Sequence, residues 1–310
     1  MGTSSRTPAY SAWAAVCVIW GTTYLAIKIC LETIPPALMG GLRFVTAAGI
    51  LTAALPLTGT RLPDRKLWPE LAVIGVLLLG IGNGAVIVAE QWVPSGITAV
   101  VAATMPFWAV MIEALVPGGE RLRPRHVAGL LLGFAGILLL AAPEIRPSGM
   151  PGGRFLLGVG ALQIGCIGWV LGSIYSKRQG IAADPLAAAA MEMLFGGAFM
   201  LMVGTVHGEW SSLQFSGRTI AALAYLVVFG SLVGFVAYTY ALNHLPVSFV
   251  SLYAYLNPIV AVALGTLLLS EPLTIRIVAA IAVIIMAVAL VKVGELSRTL
   301  PELEKRRRGH

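Results

Sequence analysis

The sequence predicts an all-α integral membrane protein of ten transmembrane helices, arranged as two inverted five-helix repeats around a central cavity. Three observations carry this prediction. Of 310 residues 58% are hydrophobic and 11% charged, with a mean hydropathy of +0.87, whereas a water-soluble domain is nearer half apolar and a quarter charged. The apolar residues gather into runs of roughly 20, the length that crosses a bilayer as a helix. Landmark residues of the first half then recur in the second at a nearly constant spacing.

The first run, 10–31, is too long for a signal-peptide core and carries Lys28 near its far end, so it reads as a retained span. Pro35-Pro36 introduces the second run, 36–57, and the charged stretch Arg61 to Lys66 sets it apart from the third, 70–89. Pro94-Ser95 precedes the fourth, 97–117, and Gly118 to Arg125 the fifth, 126–142. Beyond Pro143 to Arg154 lies 155–176, and beyond Lys177 to Asp184 lies 184–206. His207 to Gly217, His244 to Pro246 and Glu271-Pro272 introduce 219–242, 248–269 and 272–293. Proline, glycine and charge at each break suit turns between spans. The expected organisation is therefore a first repeat over 1–145, an external linker over 146–153, a second repeat over 154–294 and a basic tail over 295–310.

The net charge of +7 does not point to nucleic acid, because the basic residues lie between apolar runs and in the tail. They read as topology signals. With the N-terminus in the cytoplasm, fifteen of the 21 Lys and Arg residues fall inside, which puts both termini there. Lys28 and Arg43 are expected near span ends, where long side chains can snorkel. The tail Lys305 to Arg308 would touch anionic lipid. Cys17, Cys30 and Cys166 form no CxxC pair and the four histidines no ligand spacing, so neither a disulfide framework nor a metal site is expected.

The halves resemble each other residue by residue. Pro94/Pro246 and Pro106/Pro258 are each 152 apart, Glu120/Glu271, Leu122/Leu273 and Arg125/Arg276 are 151 apart, and Trp20/Trp169 and Lys28/Lys177 are 149 apart. Five spans is an odd number, so the second half would enter the membrane from the opposite side, as in many secondary transporters.

These residues resemble the drug/metabolite transporter superfamily, in its ten-span EamA-type branch. The resemblance rests on Val18-Ile19-Trp20-Gly21 with Lys28, the Pro106 and Pro258 helices, and the turns Gly119-Glu120-Arg121-Leu122 and Ser270-Glu271-Pro272-Leu273. It implies export of amino acids or related metabolites, as by bacterial amino-acid exporters including those for aromatic amino acids. It also implies a bacterial cytoplasmic (inner) membrane location, a central cavity enclosed by eight helices, and a peripheral last helix in each half. Arg121 stands where the second turn has Pro272, a departure from the duplicated pattern.

Pro106 and Pro258 fall near mid-span and would remove backbone donors to Ala102 and Ala254, marking hinges on a cavity wall. The expected substrate-cavity set is Trp20, Tyr24, Asn83, Thr104, Trp108, Trp169, Ser173, Tyr238, Tyr253, Tyr255 and Asn257. Aromatic faces suit apolar groups and cations, while amides and hydroxyls orient a polar end. Any single aromatic in that set also suits an interface belt or ordinary helix packing. Glu192 is the deepest carboxylate and a candidate coupling residue, with a structural carboxylate as the other reading. The GxxxG pairs at Gly129/Gly133, Gly168/Gly172 and Gly230/Gly234 suit close helix packing.

No GxxxxGK[ST] loop is present, so a nucleotide-driven pump is excluded and transport would be secondary. A membrane enzyme would need clustered nucleophiles and bases, which the dispersed amides and aromatics do not supply. A scaffold would leave the paired prolines unexplained. Export of cationic or lipophilic drugs is the alternative transport reading. The expected partners are a small-molecule substrate and the bilayer, with no cofactor and with a monomer sufficient.

Overall fold

A computed structural model describes residues 6–115, 124–141, 152–181, 183–244, 253–287 and 289–290, and every regular element among them is helical. The first helix, α1 (Arg6–Cys30), is followed by α2 (Pro36–Ala54) and by a continuous helical stretch, α3 (Arg65–Ala89). Then come α4 (Ser95–Ala102), α5 (Met105–Leu115), α6 (Pro124–Ala141), α7 (Gly152–Gln179) and α8 (Pro185–Val206). A second long stretch, α9, starts at Gly217 and ends at His244, followed by α10 (Tyr253–Leu269) and α11 (Ile275–Ala287). Six of these stretches are long and apolar enough to cross a membrane: α1, α2, α3, α7, α8 and α9. The turn Gly119–Leu122, most of the 146–153 linker and the 295–310 tail lie outside the described residues.

Helix starts follow the local sequence. Proline occupies the first turn of α2 and α8, where its missing N–H costs nothing. The Asp184 carboxylate accepts from Leu186 N (2.9 Å) and Ala187 N (3.4 Å), and Ser216 with Thr219 forms a capping box at α9. Two helix starts, α2 again and α4, are capped from far along the chain. Glu209 accepts from Ala37 N (3.3 Å) and Leu38 N (2.9 Å) of α2. Glu271 accepts from Ser95 N (2.7 Å), Ser95 Oγ (2.9 Å) and Gly96 N (3.1 Å) of α4. Both carboxylates sit on orphan amides at the positive end of a helix dipole, and both tie the second half to the first.

The segment read as one fourth span is broken. Its helix stops at Ala102, turns through Ala103 and Thr104, and restarts at Met105. Pro106 is thus the second residue of a new helix, a place proline tolerates, instead of the centre of a kinked one. Pro258 does lie inside its helix, α10.

Both α3 and α9 carry eight residues of π-helix in mid-course, Val76–Asn83 and Leu226–Val233, each followed by glycine, Gly84 and Gly234. The two segments are 150 residues apart. Each is met by the tryptophan of the other half: an ideal Cβ on Gly82 would lie 3.2 Å from Trp169, and Trp20 Nε1 donates to Gly230 O at 3.1 Å. One buried cluster joins α1, α2, α3, α8 and α9 around Phe44, Met39 and Leu226. A second gathers Val101, Phe107, Leu162 and Ile284, and an ideal Cβ on Gly136 of α6 would lie 2.5 Å from Ile284 of α11. The exterior exposes large aliphatic side chains such as Leu131, Ile164, Leu267 and Ile275, a surface suited to lipid tails.

Candidate functional site

A cavity of about 110 Å³ lies where the two halves meet. Its wall comes from α1 to α5 and α7 to α10, with no lining residue from α6 or α11 among the described ones. Ala102 and Met105 both line it, so the break in the fourth span opens on the cavity wall. Behind that break the freed groups find partners. Thr104 Oγ1 donates to Val101 O at 2.7 Å, and Cys166 Sγ lies 3.8 Å from Ala102 O, the carbonyl that Pro106 cannot serve.

Of the residues expected to form the cavity, Trp20, Tyr24, Asn83, Trp169, Tyr253 and Asn257 line it. Trp20 packs edge-on against Tyr253 (centroids 4.9 Å apart, 83° between planes) and at 5.1 Å from Tyr238. Tyr238 stands behind this pair, 5.9 Å from Tyr253, as a support and not as lining. Buried Asn257, with its amide nitrogen turned to donate, reaches Cys17 O (3.1 Å) and Tyr253 O (3.0 Å), stitching α1 to α10 next to Pro258.

Other expected residues stand elsewhere. Trp108 donates to Gln163 Oε1 at 2.8 Å, and Gln163 Nε2 lies 3.5 Å from Thr104 Oγ1, so Thr104 and Trp108 hold α7 against the broken span without lining the cavity. Ser173 is exposed and donates back to Trp169 O (2.8 Å) of its own helix. Glu192 is partly exposed and is not a lining residue. The side chains of Tyr255 and Pro106 lie outside the described ones.

The residue that sequence reasoning misplaced is Arg43. Instead of snorkelling, it is 4% exposed and lines the cavity, with Nε donating to Ser231 Oγ at 3.0 Å and the guanidinium carbon 4.8 Å from the Phe44 ring centroid. Its position seven residues into a 19-residue helix was the available signal, because that is too deep for the head to reach water easily. Lys28 does not reach outward either: its ammonium donates to the carbonyl of Glu90 and, at 3.4 Å, to Val93 O. The Glu90 carboxylate beside it is fully buried, with neither oxygen partnered among the described residues.

The site thus combines aromatic faces, two amides and one buried cation around a recess of about 110 Å³ between membrane-crossing helices. Such a recess has the shape and chemistry to suit a small solute, and among the described residues no nucleophile and base are paired within it.

Comparison with known proteins agrees. Residues 7–142 and 156–293 each match the profile of the EamA-like transporter family. A relative named uncharacterized inner membrane transporter YedA, from Escherichia coli (strain K12), is 39% identical over 289 residues, 93% of this chain and 92% of its own. Another from the same strain, named probable amino-acid metabolite efflux pump, is 26% identical over 272 residues, 84% of this chain and 86% of its own. A crystal structure aligns with a TM-score of 0.65 at 23% identity, covering 95% of this chain and 99% of that one. That last likeness speaks for the fold.

Proposed function

The chain belongs to the EamA-like transporter family, and from that premise we propose that it is a secondary transporter exporting amino acids and related small metabolites by alternating access. In this reading ten spans form two oppositely inserted five-helix units, both termini are cytoplasmic, and the membrane is the bacterial inner one. The carrying observation is the cavity at the seam of the two halves, with a tryptophan from each half on its wall and a π-helical segment from each beside it. The likeness to a relative named as an amino-acid metabolite efflux pump supports the substrate class. The broken fourth span and Pro258 supply the local backbone changes that rocking of one unit against the other needs.

Export of cationic or lipophilic drugs is the second reading, favoured by the Trp20, Tyr238 and Tyr253 cluster, whose ring faces attract cations. Uptake of radiolabelled threonine, methionine and tryptophan, and of a quaternary ammonium dye, into proteoliposomes with and without a pH gradient separates the two. Amino-acid flux dependent on the protein is the expected result. Movement of the dye alone would overturn the first reading.

A further inference from the structure

We propose that Arg43 forms a carboxylate-binding site in this cavity, so that the cargo carries an anionic group which docks on the guanidinium while its apolar part lies against the aromatic wall. The inference rests on the transporter reading and adds the chemistry of the solute.

The geometry of Arg43 carries it. A guanidinium inside a membrane protein is costly unless paired. Yet no carboxylate lies within ion-pair distance of Arg43 among the described residues, where the one salt bridge is the exposed Arg218–Glu32 pair at 3.2 Å. Ser231 takes only Nε, and Nη1 is buried without a partner. Among the described residues, Nη1 is therefore left for something the fold itself does not supply. Arg presents its N–H groups as a planar fork that matches the two oxygens of a carboxylate, which a point-charge ammonium does not.

The surroundings hold the fork in place. Phe44 covers one face, and the π-helical stretch of α9 brings Gly230 and Ser231 opposite. An ideal Cβ on Gly230 would stand 3.1 Å from Nη2, so a residue without a side chain keeps that edge open. Trp20, Tyr24 and Tyr253 offer faces and hydroxyls for the rest of a small solute, and among the described residues the lining contains no acidic side chain. A cation lacking a carboxylate would meet a positive wall with nothing to neutralise it, which disfavours quaternary ammonium cargo by the same charge.

The test uses the full-length protein in proteoliposomes, following uptake of labelled methionine and tryptophan with unlabelled methionine, methioninamide, tryptophan and tryptophanamide as competitors. In the wild type the acids are expected to compete at least about tenfold better than the amides, the scale of one charge-assisted hydrogen bond lost. Arg43→Gln is expected to erase that preference, and Arg43→Lys to keep part of it with weaker competition by the acids. Acids and amides competing equally in the wild type would overturn the carboxylate site while leaving amino-acid transport intact. Preference retained in full by Arg43→Gln would do the same. Should Arg43→Gln not be recovered folded, Arg43→Lys decides: competition identical to wild type overturns the fork, and weakened competition by the acids alone supports it. Uptake of the dye with no amino-acid flux would instead sink the amino-acid export reading on which all this rests.

Discussion

Arg43 and Glu192 occupy the same place in the two halves, seven residues past Pro36 in α2 and seven past Pro185 in α8, and their surroundings differ sharply. Arg43 is buried on the cavity wall facing Gly230 and Ser231. The Glu192 main chain lies so close to Gly75 of α3 that an ideal Cβ there would sit on the Glu192 carbonyl oxygen, and a Cβ on Gly196 would lie 2.5 Å from Gly75 O. At the position equivalent to Gly75, 150 residues on, α9 has Tyr225, whose hydroxyl lies 2.6 Å from Thr22 Oγ1. One pairing, α3 with α8, is a close backbone contact between glycines; the other, α2 with α9, carries polar side chains onto the cavity. The two copies share a helical plan, while one pairing is given to close packing and the other to lining the cavity.

The sharpest way to break this contrast is to fill the glycine contact. A side chain at Gly75 meets backbone, which cannot swing aside, so Gly75→Val is expected to cost about 3 kcal/mol or more, the upper end for overpacking. Gly49 is the internal control, since nothing lies within 4 Å of its would-be Cβ, and Gly49→Val should stay within about 0.5 kcal/mol of wild type. Size-exclusion profiles and thermal melting of the detergent-solubilised variants compare the two. Equal melting would mean that α3 and α8 are not locked as described.

The unequal legibility of the two pairings has a physical cause. Bilayer thickness forces apolar runs, and helix starts need proline or an N-cap, so the starts of α2, α8 and α9 were readable near Pro36, Asp184 and Gly217. Trp20 and Trp169 could be named as cavity candidates because both fall near mid-span at corresponding places in the two halves. The π-helical segments were not readable, since a shift from i→i+4 to i→i+5 pairing requires no particular residue type. Arg43 escaped because its environment is made by Ser231 and Gly230, which lie 188 and 187 positions away. Pro106 was visible as a disruption, but whether a proline bends a helix or restarts one depends on partners such as Cys166 and Gln163 on a distant helix.

A smaller effect separates the two tryptophans. Trp20 donates to Gly230 O, a carbonyl within the π-helical stretch of α9, whereas Trp169 meets the π-helical stretch of α3 through side-chain carbons against Gly82. Trp20→Phe removes that hydrogen bond and is expected to cost about 1 kcal/mol in stability. Trp169→Phe keeps much of its apolar contact and is expected to cost less than half as much. Melting curves of the two variants give the difference, and equal losses would mean that the hydrogen bond adds nothing beyond ring packing.

The smallest expected change is at Glu192, and it bears directly on the opening contrast. A coupling carboxylate must reach the solute pathway, and Glu192 is partly exposed on a helix whose cavity contact is made by its neighbour Met193. Neighbouring residues on a helix point about 100° apart, so Met193 facing inward turns Glu192 aside. Glu192→Gln is therefore expected to leave the pH dependence of amino-acid flux in proteoliposomes unchanged, while Arg43→Gln alters which solutes compete. A flattened pH profile in the Glu192 variant would show that both equivalent positions serve transport, and that the division of labour between the halves is not the one their packing suggests.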